Sequence, residues 1–305
     1  MTKLNWKGIM PPLPTPTTAD GEINVPVLKK IINFVIDNGC HGVVPLGGVG
    51  EFNSISAKNR QLVVETTVEE VNGRVPVIAG VVQTSLFDAV DSAKTFKAAG
   101  ADAILTLAPY YQKPTQAGVR EYFKALKGMI DMPVMLYDTP DNTHLIIDPT
   151  TILGLVEDGS LDALKASNHI IDHFNHVLPL IKGRIPIFAG ETPFFAVFLA
   201  MGADGGMIGN ACLMPRYILK IYELASSGRL QEALAAQHKL FPLTAALAKG
   251  PYFSSFKQMM SLIGFEVGKP LLPLLPVSDE NFAKVREEFE KLKADGTFKD
   301  EAFPV

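Results

Sequence analysis

Lys165 lies in Leu161-Asp162-Ala163-Leu164-Lys165-Ala166-Ser167, a short run whose other residues read as a buried strand. Desolvating an ammonium is costly, so a lysine is rarely set where both strand neighbours must be buried. Burial of an amine favours its uncharged form, and that form attacks a carbonyl to give a Schiff base. A strand-end lysine that reaches back to water would give the same local pattern, so its companions must decide. Other strand-like runs end in Gly47-Gly48-Val49-Gly50-Glu51-Phe52, Pro109-Tyr110-Tyr111, Tyr137-Asp138, Gly190-Glu191 and Gly209-Asn210. These groups fit one chemistry. The lysine condenses with a 2-oxo acid, and the iminium accepts the electron pair released by C–C cleavage or proton removal. A tyrosine beside the lysine moves protons, and N–H groups of the glycine loop hold the carboxylate. Taken singly, each has a plainer role: Tyr137 as a core residue, Tyr110 and Tyr111 as lid or interface aromatics, the glycine loop as a tight connection. The loop is not a P-loop, because no Gly-Lys-Ser/Thr follows it.

The elements that must position these residues alternate from one end to about residue 226. Strands are expected at Gly8–Met10, Gly42–Leu46, Val75–Val81, Ala103–Ala108, Val134–Tyr137, Ala163–Ser167, Ile185–Ala189 and Gly206–Gly209. Between them Val25, Leu28, Ile32 and Val35 share one helical face, as do Leu86, Val90, Ala93 and Phe96. Ser85 with Asp88, Asp148-Pro149 and Thr192-Pro193 mark helix starts. Gly39, Gly100 and Gly202 each close a helix before the next strand. Eight apolar strands with intervening helices in that length predict a closed (β/α)8 TIM barrel. A doubly wound open sheet is the alternative. It calls for a phosphate-binding glycine turn after the first strand, where this chain has Pro11-Pro12-Leu13-Pro14-Thr15-Pro16. Beyond residue 226, Arg229–Ala248, Tyr252–Ile263 and Asn281–Lys293 read as three helices, with a proline-rich break at Pro270–Pro276. The expected division is a barrel domain over 1–226 and a C-terminal helical region over 227–305. Active sites of such barrels lie at the C-terminal ends of the strands, where the residues above converge.

With 305 residues, 47% of them hydrophobic, the chain can bury a full-size core. A net charge of -4 argues against nucleic acid as a partner, since no basic surplus exists to neutralise phosphates. Met1–Gly8 lacks the apolar stretch of a signal peptide, and no apolar run approaches the roughly 18 residues of a membrane span. Cys40 and Cys212 sit among apolar or small residues and read as buried free thiols. A cytoplasmic, soluble protein is expected.

His169, His173 and His176, with Asp172 between them, recur at helical spacing after the sixth strand. Two histidines four apart can bind zinc, but no HExxH glutamate accompanies them and imine chemistry needs no metal. A polar helix face is expected, with no metal site; Asn168 and His169 are also near enough to the strand end to touch substrate.

The chain resembles the dihydrodipicolinate synthase / N-acetylneuraminate lyase family of class I pyruvate-dependent aldolases over nearly its whole length. The likeness rests on Pro12-Leu13-Pro14-Thr15-Pro16, the Gly47–Glu51 loop, Pro109-Tyr110-Tyr111, Tyr137-Asp138-Thr139-Pro140, Leu164-Lys165 and Gly202-Ala203-Asp204-Gly205. The resemblance implies Lys165 as Schiff-base residue, Tyr137 as acid/base, and Tyr111 reaching a neighbour's site within a homodimer or homotetramer. Substrate contacts are expected from Gly47, Gly48, Val49, Glu51, Tyr110, Asn142, Gly190, Glu191, Met207 and Ile208. The covalent lysine imine takes the place of a cofactor.

Three departures bear on the substrate. The family's glycine loop commonly carries two hydroxyl residues where this chain has Gly48 and Val49. Dihydrodipicolinate synthases place an arginine after the strand-five tyrosine; here the position is Asn142, and no arginine occurs between Arg120 and Arg184. Sialic acid lyases carry an acidic pair after the strand-seven glycine, where Glu191 is followed by Thr192-Pro193. Glu51-Phe52 is closer to members acting on 2-keto-3-deoxy sugar acids. The expected function is a pyruvate-dependent aldolase or dehydratase of such an acid, with dihydrodipicolinate synthesis or sialic acid cleavage as alternatives. A ligand-binding barrel that has lost catalysis is a further alternative, and a metal-dependent lyase another.

Overall fold

The structure, a computed structural model, describes residues 6–304. The first five residues of the segment read as lacking a signal peptide lie outside them. The chain opens with β1 (Gly8–Ile9) and α1 (Val25–Asp37), then α2 (Ala57–Val71), β2 (Ile78–Val81) and α3 (Leu86–Ala98). β3 (Ala103–Thr106), α4 (Gln116–Met129), β4 (Val134–Asp138), α5 (Pro140–Thr143) and α6 (Pro149–Glu157) follow. The second half runs β5 (Ala163–Ala166), α7 (Ile171–Ile181), β6 (Ile187–Ala189), α8 (Phe195–Met201), β7 (Gly205–Gly206) and α9 (Pro215–Ser226). The strands pair in parallel in the order β1-β7-β6-β5-β4-β3-β2.

The expected strand at Gly42–Leu46 closes the gap between β2 and β1 without forming a regular strand. On one side Val43 N–H donates to Pro76 O, while Ile78 and Gly80 N–H donate to Val43 and Pro45 O. On the other side Val44 N–H donates to Pro11 O, and Leu13 N–H donates to Val44 O. Pro11, Pro12, Pro45 and Pro76 have no N–H to give, and Leu46 turns to φ +62, so the ladder is cut to isolated bridges at Val43 and Val44. The barrel is closed by eight segments, seven of them regular strands among the described residues.

Inside the barrel, Met10, Val44, Ile78, Ala103, Leu105, Met135, Ala163, Phe188 and Met207 form an apolar plug, with Tyr137 packed at its edge. A larger cluster lies between strands and helices, including Leu28, Ile32 and Val35 from α1 and Val90, Ala93 and Phe96 from α3. Gly39, Gly100 and Gly202 adopt φ +96, +96 and +117, the left-handed exits the sequence predicts. Helix starts are less regular than expected. Ser85 Oγ accepts from Asp88 N–H, but Asp148 makes no side-chain cap, and Thr192–Phe194 forms a 3-10 turn ahead of α8. Both cysteines are buried and free.

The C-terminal region contains α10 (Leu230–Leu247), α11 (Tyr252–Leu262) and α12 (Asp279–Ala294), close to the three helices predicted. Among the described residues, no helix is long and apolar enough to cross a membrane. α10 packs on α8, α9 and α12, while α11 reaches over the strand ends. There Lys257, 1% exposed, pairs with the Glu51 carboxylate and donates to Lys269 O at 3.1 Å. Leu271 N–H donates to the other Glu51 oxygen at 2.7 Å. We propose the division at 226/227 as one of organisation rather than of separate folding.

A buried ion stripped of its partner is strongly destabilising, typically by about 3–5 kcal/mol. Lys257→Met is therefore expected to lower stability by that order in urea titration. Adding Glu51→Gln to it should recover most of the loss; a double variant as unstable as the single one would show that the pairing is not what the site requires.

Candidate active site

Strand alternation decides what points inward. Ala163 belongs to the inner plug, so Lys165, two residues on, faces the same way at the C-terminal end of β5. It is 4% exposed. Its Cα partners across the sheet are Tyr137 on β4 and Phe188 on β6. The ammonium lies 3.9 Å from the centre of the Tyr137 ring, a cation–π contact that partly replaces lost hydration. Behind it, Gly190 has to be glycine: a Cβ there would collide with Ser167 Oγ and come within 3.0 Å of Lys165 Cε. Gly190 N–H is anchored on Ala166 O at 2.7 Å, which carries the chain past the lysine to Glu191.

Lys165 opens into a cavity of about 340 Å³ that Tyr137, Asn142, Glu191, Thr192, Met207 and Tyr252 also line. A second cavity of about 270 Å³ lies on the other side of Tyr137, walled by Phe52, Val82, Leu107, Tyr110 and Leu274. Gly48, Tyr137, Asn142 and Phe253 line both. The glycine loop forms the rim between them. Leu46 and Glu51 bracket it at φ +62 and +53, so its peptide groups turn away from the sheet. Among the described residues, the N–H groups of Gly47, Gly48, Val49 and Gly50 have no protein acceptor, as an anion cradle requires. The space a side chain at 48 would fill is taken by the Phe253 ring, whose Cζ would lie 2.8 Å from a Cβ there.

Burial pushes the Glu191 carboxyl above its ordinary value; the nearby Lys165 and His169 oppose this, and Asp141 adds to it. Burial also raises the Tyr252 phenol, with Glu191 contributing, so it stays protonated at neutral pH. Asn142 Nδ2 donates to Thr139 Oγ1 at 2.7 Å, which holds the amide over the mouth.

The structure brings together Lys165, Tyr137, Gly48, Val49, Asn142, Gly190, Glu191 and Met207 around one cavity. Gly47 and Tyr110 line the outer one, where the Tyr110 hydroxyl reaches Asn53 Oδ1 at 3.4 Å. Glu51 also borders the outer cavity, but its carboxylate is committed to Lys257 and Leu271. Ile208 lines neither cavity, because alternation turns it out of the barrel into the helix–sheet layer while Met207 faces in. Tyr111 is 94% exposed at φ +78 and lines neither cavity.

The three histidines do not converge. His169 pairs with Asp141 at 2.9 Å, His173 with buried Asp138 at 3.4 Å and His176 with Asp172 at 3.7 Å. Sequence reasoning missed the contribution of the C-terminal helices, Tyr252 and Phe253 from α11 and Thr244 and Ala248 from α10. Their helical periodicity was visible, but nothing local distinguishes a helix that caps a barrel mouth from one that lies along its side.

The sequence matches the dihydrodipicolinate synthetase family over residues 5–292. It is 31% identical over 287 residues to a 4-hydroxy-tetrahydrodipicolinate synthase of Methanococcus vannielii, covering 94% of this chain and 98% of that one. A synthase of the same name from Methanocaldococcus jannaschii is 31% identical over 277 residues, 90% and 95% of the two chains. Among solved structures, dihydrodipicolinate synthase from Aquifex aeolicus superposes with a TM-score of 0.91 at 28% identity, over 94% of this chain and 98% of that one. YagE, an E. coli K12 prophage protein of the dihydrodipicolinic acid synthase family solved in complex with pyruvate, gives 0.90 at 25% identity, over 95% and 99%. The chain belongs to the dihydrodipicolinate synthetase family, and is a class I lyase that binds its substrate as a lysine Schiff base, without a separate cofactor.

Proposed function

We propose that Lys165 is the Schiff-base lysine, and that the substrate is a polyhydroxylated 2-oxo acid such as a 2-keto-3-deoxy sugar acid. One observation carries the substrate reading: among the described residues lining the two cavities, Lys165 is the sole lysine or arginine. Arg120 pairs with Asp158 at 3.3 Å and Arg184 with Glu157 at 3.2 Å, both away from the mouth. Condensation with aspartate semialdehyde, the reaction suggested by the relatives' name, brings in a second carboxylate, and bidentate arginine is the usual means of holding one. Here Asn142, Glu191 and Asp141 stand around the cavity instead. The two carboxyl side chains disfavour a second carboxylate, and all three groups bind hydroxyls well.

The amine of Lys165 adds to C2, water leaves, and the iminium forms. In cleavage the C4 hydroxyl gives up its proton and becomes the aldehyde carbonyl as the C3–C4 bond breaks; that bond's electron pair forms the C2=C3 bond of an enamine, and the iminium pair returns to nitrogen. In dehydration a C3 proton leaves and the C4 hydroxyl departs as water. Either course draws on the same iminium. Tyr137, its ring against the lysine, moves protons at the imine, and the unpaired N–H groups of Gly48 and Val49 take the carboxylate. Tyr111 acts across a subunit contact in a dimer or tetramer, which accounts for an exposed aromatic in the left-handed region.

Pyruvate with borohydride is expected to add one reduced pyruvyl group at Lys165, and Lys165→Ala to abolish turnover while the barrel stays folded. Peptide mapping that puts the adduct on another lysine, or finds none, removes the assignment. Tyr137→Phe should lower kcat by the ~10²–10⁴-fold typical of a lost acid/base group, with much less effect on pyruvate binding; activity within a few-fold of wild type would reduce Tyr137 to packing. For the substrate, kcat/KM for 2-keto-3-deoxy sugar acids should exceed that for condensing pyruvate with aspartate semialdehyde. A tenfold advantage for the semialdehyde would overturn the argument from the missing arginine. Imine formation with no turnover of any acid would favour a ligand-binding barrel.

A further inference from the structure

The loop that lacks hydroxyls at positions 48 and 49 faces a hydroxyl from elsewhere in the chain. Tyr252, the first residue of α11, lines the Lys165 cavity beside Phe253, whose ring closes the space at Gly48. Its hydrogen-bond polarity is fixed by a buried relay. Thr244 Oγ1 lies 3.2 Å from Leu240 O one turn back, and its single proton is spent on that carbonyl. Toward Asn210, which is 0% exposed, Thr244 can therefore only accept, from Nδ2 at 3.5 Å. That sets the amide: Asn210 Oδ1 faces Tyr252, 3.1 Å from its hydroxyl. The reverse amide orientation would put a carbonyl oxygen against a threonine oxygen whose proton is already committed. A carbonyl oxygen only accepts, so the Tyr252 proton is committed as well, and burial keeps the phenol protonated. What its oxygen retains is lone pairs. Gly209 leaves them uncovered: a Cβ there would stand 3.1 Å from the phenol oxygen, 3.2 Å from Phe256 and 3.4 Å from Val49.

We propose that Tyr252 is a specificity residue whose oxygen, held as an acceptor by Asn210 and Thr244, binds a hydroxyl on the tail of the 2-oxo acid. An acceptor beside Glu191 repels a carboxylate and offers nothing to a bare alkyl chain, so it rewards a hydroxylated tail specifically. The inference rests on the imine reading of Lys165, and the test separates the two. Borohydride trapping would be followed by intact mass for three acids: pyruvate, 2-oxohexanoate, and 2-keto-3-deoxygluconate, which has the same six carbons and carries hydroxyls. Trapping reports imine formation whatever chemistry follows.

In the wild type the sugar acid should reach half-maximal labelling at a concentration about tenfold below that of 2-oxohexanoate, the scale of one well-made hydrogen bond. Tyr252→Phe should bring the two within about threefold and leave the pyruvate value unchanged. Thr244→Ser, which keeps the polarity of the relay, should retain the preference; Thr244→Val, which frees the amide to turn, should lose it. A Tyr252→Phe enzyme with the wild-type preference, or one weakened equally for all three acids, overturns the proposal, the second outcome because it would place Tyr252 at the pyruvyl end. Absence of any adduct in the wild type removes the imine reading and this inference with it. Thermal melts of each variant show whether a lost preference reflects lost folding.

Discussion

The arrangement of the barrel mouth depends on one buried ion pair. Glu51 stands at the end of the glycine loop in the left-handed region, and Lys257 lies on the inner face of α11; both side chains are almost wholly out of water. Two such charges are costly to desolvate, and they are tolerated only where the remaining polar atoms are also matched. Here Leu271 N–H and Lys269 O supply the extra bonds. The pair therefore fixes three pieces of chain against one another: the loop after the second barrel segment, the first turns of α11, and the stretch leading into the proline-rich break. It specifies α11's position more sharply than apolar packing could, since a helix sliding by one turn would leave both ions unmatched. Lys257 itself shows the tension: burial pulls its pKa down, while Glu51 holds it up.

Phe253 and Tyr252 follow from that position. They lie four and five residues before Lys257, about one helical turn, so the register that seats the lysine also sets these rings over Gly48 and Gly209. Both glycines are needed for this, since a side chain at either would meet a ring. The departure of the loop from its family pattern is thus coupled to the C-terminal helices. The hydroxyls missing at 48 and 49 go with an aromatic that occupies the space at 48 and a phenol from the preceding residue on the same helix.

Much of this arrangement could be read in the sequence, for particular physical reasons. Lys165 was visible because a lysine in an apolar strand contradicts its surroundings, and the contradiction needs no structure to see. Most strands were visible because a proline or a left-handed glycine comes just before or within them, as at Pro76, Gly100, Pro133, Pro186 and Gly202, and because they are buried on both faces. The second was less regular than expected, because the same prolines that mark strands also remove the donors a ladder needs. Strand lengths were overestimated for a related reason. Val75–Val81 is apolar throughout, but only Ile78–Val81 pairs regularly. Glu51 was read as a substrate group because a carboxylate near a site looks available until its partner, some two hundred residues away, is known. Ile208 was included beside Met207 although the two must face opposite sides of a strand, a point that alternation alone could have settled. Tyr252 carried no local signal at all.

The charge distribution around the mouth follows from these placements. The inner cavity contains one cation, set deep against an aromatic face, and the carboxyl and amide groups lie farther out along Glu191, Asp141 and Asn142. An acid entering such a site can gain from its carboxylate only at the inner end, beside the lysine and the free N–H groups of the loop. A second negative charge anywhere along the tail would meet Glu191, a carboxyl whose own ionisation burial already opposes. Neutral hydroxyls meet no such barrier, because each can donate to a carboxyl or phenol oxygen and accept from an amide. The outer cavity sets an apolar wall of Phe52, Val82, Leu107 and Leu274 against the polar groups of Asn53, Ser54, Tyr110 and Asn142. On the proposed sugar-acid reading, α11 limits substrate length on the inner side, where a hydroxylated tail would end beneath Tyr252 and Phe253.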